Sequence, residues 1–585
     1  MLKLFKNFTI KETSLALMSV LLIIFQVWLD LKLPDYMSEI TLLVQTEGSL
    51  LADIYRAGGM MLLCAFGSLV TAVLVAITAS RISSNFGANL RQKLFSKVLD
   101  FSLEEISLFS TSSLITRSTN DITQVQMLII MGLQAIVKAP ILAFMAIGKI
   151  TDKSWQWSLV TAIAVLALLI FVIAILLLAL PKFKQLQKLT DRLTHVTREN
   201  LTGLRVVRAY NAEDFQENKF EVVNSDLTNT QLFTSRTMAF MMPFISLVMN
   251  GLSLAIYWVG AILINQAGIF ERLPLFSDMI VFSSYAMQIV MAFMMLVMIF
   301  IIVPRASVSA RRILEVLETE PTIIDGEISE AILDATASVE FKQVSFKYPD
   351  AQSYVLKDIN FVANVGETVA FIGATGSGKS TLINLIPRFF DATEGEVLLN
   401  GVNVQDYTQD NLHNHIGYAA QKASLFEGTI KSNVLYGHND HAKTLDSDVI
   451  EALDIAQATE FVENLDKGYN AEVTAGGTNL SGGQKQRVSI ARAIARQADV
   501  LIFDDSFSAL DYLTDRQLRQ ALREERADQT KLIVAQRIGT IKDADRIIVL
   551  DKGRIVGNGR HEELLESCSV YQEIAYSQLS KEELA

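Results

Sequence analysis

Two stretches of this 585-residue chain carry residue types at spacings that could do chemistry. In the first, ETVAFIGATGSGKSTLINLI, Gly373, Gly378, Lys379 and Ser380 fit G-x-x-x-x-G-K-[ST]. The stretch reads as strand, glycine loop, helix. Glycine lets successive backbone N–H groups wrap phosphate oxygens, and the start of a helix presents further N–H groups to an anion. Thr375, Gly376, Ser377 and Thr381 belong to the same phosphate-holding segment. Lys379 is expected to neutralise the β- and γ-phosphates of a nucleotide, and the Ser380 hydroxyl to hold Mg2+. The second stretch is LIFDDSFSALD, Leu501 to Asp511. Its apolar run reads as a buried strand, and the adjacent carboxylates at the tip, Asp504 and Asp505, are unfavourable there unless a cation sits beside them. Asp504 is therefore expected on the magnesium, and Asp505 stands where a water-activating base would stand.

These residues need a soluble α/β domain to position them, and the rest of the chain is of another kind. Half of the sequence is hydrophobic, 19% is charged and the mean hydropathy is +0.32, which points to a membrane protein. All 18 methionines lie in the first 300 residues, whereas five of the six histidines lie beyond residue 400. A membrane part followed by a soluble part is the simplest organisation: residues 1–303, a charged linker at 304–337, and a nucleotide-binding domain at 338–585. A net charge of −12 argues against nucleic acid as the main partner. Cys64 and Cys568 offer neither a disulfide nor a metal site.

Six apolar runs are long enough to cross a bilayer, near 14–34, 57–80, 127–149, 158–181, 238–265 and 278–303. The loops at 81–126 and 182–237 carry 5 and 9 Lys/Arg, whereas those at 31–56, 150–156 and 266–277 carry 2, 1 and 1. That bias places both termini and the two long loops in the cytoplasm. The start, MLKLFKNFTIKETS, lacks a cleavable signal pattern, and its three lysines suit the same side. The long loops are polar but helix-friendly, and read as helices they carry the spans out of the membrane. Pro181, Pro243 and Pro304 are expected at or near helix ends. Lys138, beside Pro140 in the third span, is expected to snorkel towards the cytoplasmic face. The sixth span holds six methionines, and Met291, Met294 and Met298 fall close to one helical face. Either that face is packed apolar surface or it is an adaptable wall for varied apolar ligands.

Just before the double acid, LSGGQKQRVSIARAIA (Leu480 to Ala495) resembles the signature of ATP-binding-cassette (ABC) proteins. With six preceding spans, the chain resembles an ABC exporter half-transporter over nearly its whole length. The resemblance implies an α-helical membrane domain of six long helices followed by an α/β P-loop nucleotide-binding domain, with ATP and Mg2+ as cofactors. It implies that Tyr348, in FKYPD, stacks on adenine, and that Gln421, in YAAQKASLFEGTI, touches Mg2+ and senses the membrane domain. It implies that Ser481, Gly482, Gly483 and Gln484 cap the ATP held by a second subunit, and that Asp511 couples the two sites. STNDITQV and AYNAEDF resemble the short coupling helices that dock on nucleotide domains.

Three positions depart from the family pattern. Asp505 replaces the usual Glu, Gln536 in VAQRIGTI replaces the usual switch His, and Ala475 stands where an acid is expected before the signature. Asp is one methylene shorter than Glu, which draws the carboxylate back by roughly 1.5 Å, and a misplacement near 1 Å is worth about a hundredfold in rate. Neutral Gln536 cannot shift charge near the γ-phosphate as a histidine can. Binding residues are intact while hydrolysing residues are altered, and the signature is intact. Both facts fit one subunit of a heterodimer, the arrangement of the bacterial multidrug exporters that this chain resembles. The expected function is export of amphipathic or lipophilic compounds across the cell membrane. Export of peptide or lipid, or an ATP-gated regulatory membrane protein, are the alternatives.

Overall fold

The structure, a computed structural model, describes residues 2–5, 8–46, 48–151, 153–329, 337–349, 351–437 and 446–578. Part of the expected linker, 330–336, lies outside the described residues, as does the side chain of Met298. The chain forms two compact units. One comprises Met1–Leu99 with Ser112–Thr319, and the other Asp100–Thr111 with Glu320–Ala585.

Among its described residues the first unit holds six helices long and apolar enough to cross a membrane: Ile10–Gln45, Leu51–Leu99, Thr111–Thr151, Trp155–Thr202, Glu213–Gln266 and Arg272–Glu318. They outrun the apolar segments because the polar sequence between spans keeps a helical pattern after leaving the hydrocarbon. Several expectations are corrected here. The loop expected at 31–56 is helical as far as Gln45, with Pro34 inside the helix. Pro181 and Pro304 also lie inside continuous helices, and the last helix runs to Glu318, well past the expected start of the linker. One lost backbone hydrogen bond is tolerated in a long helix when neighbouring polar groups or local readjustment serve the freed carbonyl. Pro243 does sit near a helix end as expected, two residues into Met241–Gln266, after the turn at Phe240 that interrupts the span Glu213–Gln266.

Lys138 does not snorkel. It ends a π-helical stretch, Leu133–Lys138, and pairs with Asp30 of the first helix at 3.3 Å. Ser68 donates a hydrogen bond to the same carboxylate. Nearby, Asp35 accepts from Lys149 at 2.6 Å and from the Tyr285 hydroxyl at 2.5 Å. Internal partners beat the longer reach to water because charge in a low-dielectric bundle gains most from a fixed counter-charge.

STNDITQV is not a separate short helix. It lies within Thr111–Thr151, across the π-helical turn Arg117–Asp121. Asp121 is held there by Ser309 at 2.8 Å and Arg312 at 3.3 Å, and Arg117 by Glu315 at 2.9 Å. The short helix between the second and third spans is Leu103–Phe109, capped by Ser102. It belongs to the second unit, where the buried Glu105 accepts from the Thr322 N–H at 3.1 Å. AYNAEDF covers the end of another short helix, Leu204–Ala209, and the turn after it.

Among its described residues the second unit contains twelve strands: β1 (Ala337–Phe346), β2 (Leu356–Asn364), β3 (Thr368–Gly373), β4 (Glu394–Leu399), β5 (Val402–Asn403), β6 (Ile416–Ala419), β7 (Gly428–Thr429), β8 (Glu472–Val473), β9 (Val500–Asp504), β10 (Thr530–Val534), β11 (Arg546–Asp551) and β12 (Arg554–Gly559). An antiparallel sheet runs β2-β1-β4-β5, and a larger one runs β12-β11-β3-β10-β9-β6. In the larger sheet every pairing is parallel except β11 with the edge strand β12. Strands β9 and β10 are buried at every position, as central strands of a parallel sheet should be, and this burial takes in Thr530 and Lys531 at the start of β10. The consequence for function is topological. Strands β3, β10, β9 and β6 lie side by side and point the same way, so the segments leaving their carboxyl ends converge at one edge.

Candidate nucleotide site

Four segments meet at that edge. The glycine loop leaves β3, Asp504 ends β9 with Asp505 just beyond it, Gln536 follows β10, and Gln421 follows β6. Together they line one pocket, whose walls are Val355, Thr375, Gly376, Gly378, Lys379, Ser380, Thr381, Gln421, Asp505, Val534 and Gln536.

The loop is tight. Gly378 has φ +101°, and a Cβ there would stand 2.7 Å from Leu356. At Gly373 a Cβ would fall 2.1 Å from the Leu550 carbonyl. Both positions therefore exclude larger residues. Lys379 folds back over the loop and donates to the carbonyls of Gly373 at 2.8 Å and Ala374 at 3.0 Å. Its ammonium is pushed below the usual lysine range by burial, against the opposing pull of Asp505 and Asp504. The Ser377 hydroxyl is buried and has no hydrogen-bond partner. A buried donor without a partner is unfavourable, and a phosphate oxygen would satisfy it.

Ser380 Oγ donates to Asp504 Oδ1 at 2.9 Å. Burial raises the Asp504 carboxyl above its usual range and the charge of Asp505 adds to that, while the Ser380 hydrogen bond and Lys379 pull it down. A carboxylate held in this condition favours an added cation. The serine hydroxyl, the aspartate and the Gln421 amide are hard oxygen donors, the set that suits Mg2+. Among the described residues no cluster of three or more His, Cys, Asp or Glu could hold a metal on its own, so any magnesium here would share its shell with a nucleotide.

Asp505 adopts a left-handed backbone, φ +49°, with its N–H on the Val534 carbonyl at 3.0 Å. That turns its side chain into the pocket. Its Oδ2 accepts from Gln536 Nε2 at 2.7 Å and from Gln421 Nε2 at 3.3 Å. Two amides thus use both lone pairs of one carboxylate oxygen.

Tyr348 stands at the rim, its hydroxyl 3.0 Å from Thr381 Oγ1 and its ring edge-on to Phe346 and Phe390. The signature residues do not line this pocket. Ser481 caps the helix Gly482–Ala495 in a reciprocal pair with Gln484, at 3.3 and 2.9 Å, and Ser481 and Gly482 are exposed. Asp511 caps the helix Tyr512–Glu525 through Thr514, whose hydrogen bonds hold its carboxyl below the usual range. Sequence reasoning missed Val355 and Val534 as walls. It also missed the unsatisfied Ser377 hydroxyl, which only the packing of the loop reveals.

Comparison with known proteins agrees with this geometry. Residues 11–293 match the ABC transporter transmembrane region, and residues 356–508 match the ABC transporter family. The chain is 38% identical over 539 residues to an uncharacterized ABC transporter ATP-binding protein of Mycobacterium tuberculosis, covering 90% of each. It is 32% identical over 490 residues to an ATP-dependent lipid A-core flippase of Pseudomonas aeruginosa, covering 83% of this chain and 79% of the other. The structure of a bacterial Atm1-family ABC exporter with ATP bound superposes with a TM-score of 0.80 over 98% of both chains, at 23% identity, a likeness of fold.

Proposed function

We propose that this chain, which belongs to the ABC transporter family and is an exporter half-transporter coupling ATP hydrolysis to transport, is the weak-site subunit of a heterodimer. Its cargo on this reading is an amphipathic or lipophilic compound. The observation that carries the reading is the 2.7 Å hydrogen bond between Gln536 and Asp505. The shortened acid is tied to a neutral amide, so the position of the base and the position of the switch are altered together. Lys379, Ser377, Ser380 and Asp504 keep the groups that binding needs, with the phosphates on the loop and Mg2+ between Ser380, Asp504 and Gln421. ATP bound there would supply the phosphoanhydride, and Mg2+ the positive charge that offsets the phosphates. Tyr348 serves the adenine. Ser481, Gly482, Gly483 and Gln484 serve the partner's nucleotide, a reading supported by the exposure of Ser481 and Gly482. The membrane domain precedes the nucleotide domain, with the linker beginning after the helix that ends at Glu318, and the Lys/Arg-rich long loops favour cytoplasmic termini in the cell membrane.

The test is phosphate release from the complex purified with its native partner, at saturating Mg-ATP. Removing the partner's post-magnesium acid as Glu→Gln should be severe, because that residue would be the working base. Asp505→Asn should be mild. The opposite ranking would assign the working site to this chain. A lipid cargo is the second reading, favoured by the flippases among the relatives. Uptake of a fluorescent dye and of a labelled lipid by inside-out vesicles separates the two.

A further inference from the structure

The C-terminal helix Ser569–Gln578 ends beside the segment that follows β10, and the Gln578 side chain closes a ring on that backbone. Its Nε2 donates to the Gln536 carbonyl at 2.7 Å, and its Oε1 accepts from the Ile538 N–H at 2.9 Å. One amide therefore satisfies a backbone acceptor and a backbone donor two residues apart, as a neighbouring strand would. The helix supplying it is anchored. Tyr571 and Ala575 are fully buried, and the Tyr571 hydroxyl lies 2.6 Å from His561 Nδ1. The segment it holds is the one that carries Gln536 to Asp505. A continuous line of hydrogen bonds thus runs from Gln578 through the backbone and side chain of Gln536 to Asp505 and on to Gln421.

We propose that Gln578 is a positioning residue for the nucleotide site. It fixes the backbone on both sides of Arg537, so that the Gln536 amide stays on Asp505 and the γ-phosphate end of the pocket keeps its shape. The role holds whether the site hydrolyses ATP or only retains it.

The experiment uses the full-length chain in lipid nanodiscs. It measures dissociation of mant-ATP with Mg2+ after a chase of unlabelled ATP, and kcat and KM by phosphate release. Gln578→Ala should speed dissociation about three- to tenfold, since loosening a positioned group by a fraction of an ångström has effects of that order. Gln578→Glu keeps the acceptor for Ile538 but loses the donor to Gln536, and being isosteric it preserves the packing of the helix. It should speed dissociation as well. The Gln572 side chain, on the same helix, donates to the carbonyls of Leu565 and Glu566, away from Gln536. Gln572→Ala should therefore leave dissociation unchanged. If both Gln578 variants release nucleotide within 1.5-fold (roughly the assay's scatter) of the parent and leave kcat unmoved, the proposal is wrong. It is equally wrong if Gln572→Ala matches Gln578→Ala, because the effect then belongs to the stability of the helix. The exchange of Asp505 and the partner's acid described above tests the weak-site reading separately.

Discussion

At the scale of single residues, the weak-site proposal turns on Asp505. Its Oδ2 already accepts two amide hydrogen bonds, and its chain is a methylene short of the usual acid. Asp505→Asn should reduce phosphate release from the paired complex by less than about threefold, because a poor base has little rate to lose. Gly482→Asp should be severe in the same assay, since it brings a negative charge to the exposed helix start that would face the partner's γ-phosphate. Restoring both altered residues, Asp505→Glu with Gln536→His, should raise turnover of this chain alone by about tenfold or more. The glycine loop and the double acid that meet at this pocket were legible in the sequence, because each requires fixed residue types at fixed spacing. What was not legible is contact made across long separations. Nothing local to Ser377 announces an unsatisfied hydroxyl, and nothing in the order of residues brings Gln578 back to Gln536.

At the scale of elements, close approaches and charge pairs set the tolerances. In β6, a Cβ on Gly417 would stand 2.5 Å from the Ala493 carbonyl, on the backbone of the signature helix. Gly417→Ala should destabilise the nucleotide-binding unit by about 1–3 kcal/mol, read as a lowered thermal midpoint. In the membrane unit, the Asp30–Lys138 pair should show a coupling of about 1–2 kcal/mol in a double-mutant cycle followed by thermal unfolding in detergent. The sequence marked Lys138 as unusual but could not name its counter-charge, which lies on another helix more than 100 residues away. The same blindness explains the prolines. Composition locates where a span leaves the membrane, and it says little about where the helix ends. Of the methionine face, Met291 is exposed while Met294, with the neighbouring Met295, packs against the apolar core of the helical unit. Replacing Met291, Met294 and Met295 with Leu should change drug-stimulated ATPase unequally among ligands if that face meets cargo. A uniform change would indicate packing alone.

At the scale of the whole molecule, one set of six spans and one nucleotide unit make half of a transporter. This chain purified alone should show ATPase turnover well below that of the complex with its native partner, measured as phosphate release per nucleotide domain. The start of the signature helix is exposed and does not line the pocket of its own chain, which leaves it open to the second subunit that the proposed function requires. The helices that run on past Pro181 and Pro304 have a mechanical consequence. Trp155–Thr202 has 48 residues, and at 1.5 Å per residue it is about 72 Å long, against about 30 Å of hydrocarbon. More than half of it is a lever arm. A tilt of about 5° at the fulcrum swings the tip of a 40 Å arm by about 3–4 Å. A small change of angle within the bilayer is thereby geared up to a displacement larger than a hydrogen bond is long, and the length of polar helix sets the gear ratio.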